Sequence, residues 1–386
     1  MKSASASTWK YLLSDIDFDD RERQAVLSVL DTKWLSAGPK TGEFEQQFAD
    51  YADVPFALAT ANCTAALHMA LVGLGIGKGD EVIVPSLTFV ATSNAILYTG
   101  AKPVFADISS LEHPLVDPSD VRGKITRRTK AIMVMHYAGY PCDMEKVQSL
   151  ARKNGLYIIE DAAHAAGSYV GDRMCGTIGD VGCYSFFANK NLPVGEGGML
   201  VTRDEKIYNR LARLRSHGMT SVTWDRARGH AFSYDVVDLG YNYRTTEINS
   251  AIGLEQLKKL KKNNRKRDDI FAEYVKRLST CADLTIPFSR LGSKGRFSRH
   301  LFPILLDPHV DRKQFMARMK ERGVQTSIHY PPVHMFSYYR KVLRSPQARN
   351  LPNTEEYGKR VVTLPMHSLL TKQAVADICS CIGEAL

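Results

Sequence analysis

Between residues 53 and 202 the chain alternates short β-rich runs with helical stretches, and this alternation restricts the folds open to it. Phe56–Ala59, Glu81–Val84, Pro103–Ala106, Ala131–Met135, Tyr157–Glu160 and Gly198–Thr202 read as strands. Strands joined through helices pair by crossovers, which yields a largely parallel sheet with helices on its faces. In such a sheet the carboxyl ends of the strands share one edge, and the crevice there takes the ligand. The residues that follow these strands are turn-forming or polar: Thr60-Ala61-Asn62, Pro85-Ser86, Asp107, His136 and Asp161. They are expected to meet in one cleft.

Beyond residue 203 the spacing of Ile207, Leu211 and Leu214 predicts a helix. The polar, aromatic stretch 216–241 then breaks all periodicity and is too long for a plain connector, so it reads as a functional loop. A long helix from about Thr246 to Leu278 follows, then strands at Leu301–Leu306 and Gln325–His329 mixed with helices. The reading is an α/β protein: a large domain, 1–260, with a mostly parallel mixed sheet, and a smaller α+β domain, 261–386, entered through the long helix. With 386 residues, 44% of them hydrophobic, the chain has enough apolar material for both.

The net charge of +10 is concentrated in Lys258-Lys-Leu-Lys-Lys-Asn-Asn-Arg-Lys-Arg267. That run continues the apolar pattern Ile248, Ile252, Leu254, Leu257, Leu260, so most of its lysines should face solvent. No nucleic-acid-binding signature accompanies it, and no nucleic-acid partner is expected. Seven scattered cysteines without a Cys-x-x-Cys pair argue against a disulfide framework and a zinc site, so no metal is expected. The first residues lack the apolar core of a signal peptide, and no run approaches the roughly 20 apolar residues that cross a bilayer. A cytoplasmic protein without a membrane partner is the expectation.

The chemistry centres on Lys190, in Ser185-Phe-Phe-Ala-Asn-Lys190-Asn-Leu-Pro-Val-Gly-Glu-Gly-Gly198, and on Asp161, which closes the apolar run Leu156-Tyr-Ile-Ile-Glu-Asp161. An amine able to form a Schiff base and a strand-end carboxylate able to hold a pyridinium nitrogen are what pyridoxal phosphate (PLP) requires of a protein. Lysine is protonated at neutral pH, so the pocket must favour its neutral form. A helix beginning near Cys63–Thr64 would turn free N–H groups, a positive dipole end and a hydroxyl toward a phosphate, although Thr64 could equally be a simple cap. Ser185 offers a second hydroxyl. Phe89 could stack on the ring or be plain core, and His164, one helical turn past Asp161, could face the cleft or be structural.

Together, Asn62-Cys-Thr-Ala-Ala-Leu67, Gly79-Asp-Glu-Val-Ile-Val-Pro-Ser86, Ile159-Glu-Asp-Ala-Ala-His-Ala165, Ser185-Phe-Phe-Ala-Asn-Lys-Asn191 and Gly240-Tyr-Asn-Tyr-Arg244 resemble the DegT/DnrJ/EryC1/StrS sugar aminotransferases. The resemblance runs from Leu35-Ser-Ala-Gly-Pro39 to Leu364-Pro-Met-His367. It implies a fold-type-I PLP-dependent transaminase working as a homodimer with shared active sites. By position in the motifs, Lys190 matches the Schiff-base lysine, Asp161 the partner of the pyridine nitrogen, and His164 the residue near the phenolic oxygen. Thr64, Ala65 and Ser185 match phosphate binders, Phe89 the stacking ring, and Asn242 a phosphate ligand donated by the neighbouring subunit. Cys63 departs from the glycine that many members carry there.

The resemblance also implies the substrates: a nucleotide-diphosphate-linked keto-sugar as acceptor and L-glutamate as donor. Arg226 and Arg228 offer forks for the diphosphate. His329 and Tyr330 could bond sugar hydroxyls. Three other readings stay open: amination of a keto-cyclitol, dehydration of a sugar, and a non-enzymatic binding module. Lys190 argues against dehydration, because the related dehydratases carry histidine at that position.

Overall fold

The computed structural model describes residues 9–221, 229, 233–291, 295–342 and 350–386. Twelve strands are found among them: β1 Phe56–Thr60, β2 Glu81–Pro85, β3 Lys102–Ala106, β4 Thr129–Met135, β5 Tyr157–Asp161, β6 Tyr169–Val170, β7 Arg173–Met174, β8 Val181–Ser185, β9 Gly198–Thr202, β10 Leu284–Thr285, β11 Phe302–Leu306 and β12 Val361–Leu364. Seven form one mixed sheet in the order β1-β9-β8-β5-β4-β2-β3. The β3-β2-β4-β5-β8 block is parallel throughout, and β9 runs antiparallel to both its neighbours. Strands β2, β8 and β9 are buried along their whole length, as expected of a sheet covered on both faces.

Each strand expected between 53 and 202 is present, within one or two residues of its predicted ends. Of the seven strands of the large sheet, β8 is the one that the sequence does not announce. It contains Gly182, where an added Cβ would lie 1.8 Å from the Gly176 carbonyl oxygen, so a residue of weak β preference is there for close approach.

Helices α1 Asp20–Thr32, α2 Pro39–Ala52, α3 Cys63–Gly73 and α4 Val90–Tyr98 lead into or flank this sheet. α3 is buried nearly all round rather than along a stripe, because it lies between β8–β9 on one side and α4 with the helix Glu205–Arg215 on the other. The long helix Glu247–Leu278, capped by the Thr246 side chain, packs on α1, α2 and the C-terminal helix Lys372–Ala385. Residue 260, where the sequence division falls, lies inside it. Of its basic run, Lys258, Lys261, Lys262 and Arg265 are exposed as expected. Lys259 and Arg267 are not: Lys259 pairs with buried Glu22 at 2.7 Å, and Arg267 donates to the Met366 carbonyl at 2.8 Å.

Glu247 ties the start of this helix to the start of α2. Its carboxylate accepts from the backbone N–H groups of Gly38, Lys40 and Thr41, each at 2.8 Å, and from the Thr41 hydroxyl at 2.7 Å. A buried carboxylate thus satisfies the open N-terminus of α2, whose own cap residue, Gly38, has no side chain to do so. Glu247→Ala should lower the unfolding free energy by about 3 kcal/mol, read from the midpoint of urea denaturation.

A second sheet, β10-β11-β12, is antiparallel and belongs to the C-terminal third. β12 was not expected from the sequence, and Gln325–His329 was expected as a strand and is not one. That segment makes only an isolated bridge, Ser327 to Thr363, while Gln325 N–H bonds to the Tyr11 carbonyl. Its backbone is divided between two partners and runs into Pro331-Pro332, so no continuous ladder forms. No described helix is long and apolar enough to cross a membrane, and no cluster of metal-ligating side chains occurs among the described residues.

Candidate active site

The carboxyl ends of β1, β5 and β8 and the amino end of β9 meet on one edge of the large sheet, where Gly198 pairs with both Ser185 and Thr60. A cavity of about 410 Å³ opens there. Asp161, Lys190, His164, Thr64, Ser185, Phe89, His329 and Tyr330 all line it, so eight of the residues singled out from sequence converge.

The end of the cavity at α3 is built by backbone geometry. β1 runs into α3 through Asn62, whose side chain, and not that of Thr64, caps the helix by accepting from Ala65 N–H at 2.9 Å. This leaves the first-turn N–H groups of Cys63 and Thr64, which have no intrahelical acceptor, beside the Thr64 hydroxyl. Ala65 itself is buried behind them, does not line the cavity, and has its N–H engaged by Asn62. β9 abuts this turn because Gly198 lacks a Cβ, which would stand 2.7 Å from the Cys63 nitrogen. Gly195, at φ +99°, makes the left-handed turn between the Lys190 loop and β9.

Asp161 is buried, and its two oxygens are held separately: Oδ2 accepts from the Thr92 hydroxyl at 2.7 Å and Oδ1 from Ala163 N–H at 3.1 Å. Since the Thr92 proton is used on Asp161, the Thr88 hydroxyl, 2.6 Å away, must donate to Thr92. Burial pushes the Asp161 carboxyl above its ordinary range, against the Thr92 bond, which favours the charged form. Such a carboxylate gains most from a cationic partner. The Thr88–Thr92 pair was missed from sequence; its signal was two threonines four apart beginning α4.

Lys190 sits on a turn closed by its N–H to the Phe187 carbonyl at 2.9 Å, with Asn191 buried behind it. The Asn191 amide donates to Asn264 Oδ1 at 2.8 Å and to the Ser298 carbonyl at 2.6 Å, so the lysine loop is tied to the long helix. Burial lowers the Lys190 amine to about 8, with Asp161 opposing the shift. An amine is nucleophilic only when neutral. Borohydride trapping of PLP on the protein should therefore rise with pH through a midpoint near 8, well below that of a free lysine.

His164 is buried, and its ring lies tilted against that of His300 with centroids 4.3 Å apart. Burial, then the Lys190 charge, holds it well below its ordinary range, so it is neutral. Burial likewise lowers His329 to about 4. Phe89 is half-exposed at the cavity mouth, its ring 5.9 Å from that of Tyr330. Asn189, Glu196 and Phe187 also line the cavity and were not anticipated. Asn189 is notable because its buried Oδ1 has no hydrogen-bond partner, as expected of a polar group waiting for a ligand.

Asn242 is exposed and does not line the cavity; it is bridged to Ser216. Arg226 and Arg228 lie outside the described residues.

A mixed sheet wound in this order, with a cavity-lining lysine and a strand-end aspartate, defines a fold-type-I aminotransferase. Comparison with known proteins agrees. Residues 17–383 match the model of the DegT/DnrJ/EryC1/StrS aminotransferase family, and the chain belongs to that family. It is 38% identical over 369 residues to the spore coat polysaccharide biosynthesis protein SpsC of Bacillus subtilis, covering 94% of each chain. Among solved structures it is similar to Helicobacter pylori PseC, an aminotransferase involved in the biosynthesis of pseudoaminic acid, with a TM-score of 0.90, 29% identity and coverage of 97% and 98%. It is also similar to Spr1654 of Streptococcus pneumoniae in its PLP-form, with a TM-score of 0.89, 26% identity and coverage of 97% and 99%. The protein is accordingly a transaminase of a family that acts on sugars.

Proposed function

We propose that this chain transfers an amino group from L-glutamate to a nucleotide-diphosphate-linked keto-sugar, with PLP bound at the strand-end cavity, in a cytoplasmic homodimer. The observation that carries the reading is the enclosure of the Lys190 amine and the Asp161 carboxylate in one cavity beside an open helix N-terminus. The residues suit the cofactor: a buried carboxylate for a ring nitrogen, an amine lowered toward neutrality, two first-turn N–H groups with the Thr64 hydroxyl for a phosphate, and a buried amide oxygen without a partner. When bound, PLP supplies an electron sink that stabilises negative charge at the carbon of the substrate amine.

The chain's own residues do the rest. Thr88 and Thr92 orient the Asp161 carboxylate, which keeps a ring nitrogen protonated. Lys190, once released by an incoming amine, moves a proton as a base whose pKa near 8 suits neutral conditions. Exposed Asn242 is read as reaching the neighbouring subunit's phosphate site, which is why the homodimer is part of the reading. The basic balance of the chain favours an anionic acceptor. Arg226 and Arg228 are assigned to the diphosphate. An unchanged acceptor KM in the double alanine variant would remove them from that role.

The test is incubation with PLP, L-glutamate and a panel of 3-keto and 4-keto sugars linked to uridine or thymidine diphosphate. Glutamate-dependent 2-oxoglutarate and a matching amino-sugar nucleotide by mass spectrometry are expected for at least one acceptor. Turnover of keto-cyclitols alone, or loss of water from the sugar without glutamate consumption, would contradict the proposed substrate.

A further inference from the structure

The two nitrogens of His164 face groups that settle where its proton lies. Nδ1 is 3.3 Å from the backbone nitrogen of Ala138, and a backbone N–H can only donate. Nδ1 must therefore be a bare acceptor, and in the neutral ring the proton sits on Nε2. Burial and the nearby Lys190 charge both disfavour a cationic ring, in agreement with this tautomer. Nε2 is 3.0 Å from the Tyr330 hydroxyl, so His164 donates and the Tyr330 oxygen accepts.

Tyr330 is then left with its own proton, and no acceptor for it occurs among the described residues. The Tyr137 hydroxyl is committed elsewhere: it donates to the His329 carbonyl, and its oxygen accepts from Tyr357. The rings around Tyr330 are Phe89, Tyr137, His164 and His329, and Tyr330 lines the same cavity as Asp161 and Lys190. Burial, with Tyr137 and Asp161 adding to it, keeps the Tyr330 hydroxyl protonated.

We infer that Tyr330, held by His164, is the hydrogen-bond donor to the phenolic oxygen of bound PLP, and that His164 acts on that oxygen only through Tyr330. The motif match places His164 itself beside this oxygen, but both of its nitrogens are already engaged within the protein. Tyr330 is then a contact residue and His164 a positioning residue. The inference rests on the proposed use of PLP.

The experiment is a pH titration of the visible absorption of the PLP-loaded protein. A donor on the phenolic oxygen weakens its hold on the proton shared with the linking nitrogen, so removing the donor raises the midpoint. Tyr330→Phe, which keeps the ring, is expected to raise it by about one to two pH units, the size of one hydrogen bond to a charged acceptor. His164→Leu should move it the same way, and adding it to Tyr330→Phe should move it no further. An unchanged midpoint in Tyr330→Phe, or two shifts that add, would overturn the inference. If Tyr330→Phe takes up no PLP, Tyr330→Leu takes its place with the same two outcomes. Wild-type protein without an absorption band would instead refute the proposed cofactor.

Discussion

Lys190→Ala is expected to abolish amino transfer, with a loss of about 10⁴-fold or more, because in its proposed role Lys190 is both the covalent anchor and the proton carrier. The fold should survive. Only the backbone of Lys190 is tied down, through its N–H to Phe187, and its amine is a buried positive charge that costs stability when protonated. Lys190→Arg separates amine from charge: it keeps the cation, cannot form the covalent link, and should be equally inactive. Both are read by glutamate-dependent 2-oxoglutarate production, with circular dichroism and thermal midpoint as controls for folding. Substantial turnover in either variant would remove Lys190 from its role.

Asp161→Asn should be nearly as severe. The substitution preserves shape, but it removes the charge that holds a ring nitrogen protonated and turns one side of the group into a donor facing either Thr92 or Ala163. Breaking a buried ion pair of this kind costs about 3–5 kcal/mol, or roughly 10²- to 10⁴-fold in kcat. The distinguishing sign is a loss in kcat greater than any change in PLP affinity, since Thr64 and Ser185, proposed to hold the phosphate, are untouched. A variant that lost PLP but kept kcat at saturation would show that Asp161 anchors without activating.

Much of this site was legible because strand ends carry its chemistry. Asp161 follows Tyr157–Glu160, Asn62 follows Phe56–Ala59, and a parallel sheet brings such ends together whatever their separation in sequence. The motif spacing added Ser185 and Lys190, although the strand that ends in Ser185 was itself unrecognised, because Gly182 weakens its pattern. What stayed hidden were partnerships between distant side chains. Nothing in the sequence announces that Thr92 bonds Asp161, that Glu247 closes the start of α2, or that Asn191 is fixed by Asn264. In the basic run, helical periodicity placed most lysines correctly, but it could not foresee that Glu22 would draw Lys259 into the interior. The segment Gln325–His329 reads as a strand from sequence, yet tertiary partners on two sides claim its backbone.

On the proposed reading, Lys190 and Asp161 together make this chain a PLP-dependent transaminase. Their joint role is tested most directly by the absorption spectrum of the purified protein reconstituted with PLP, before and after addition of L-glutamate. A visible band is expected that disappears on addition of the amino acid as 2-oxoglutarate is released in a one-to-one ratio with the protein, with neither change in Lys190→Ala. A protein that binds no PLP, or one whose band survives every amino donor offered, would contradict it.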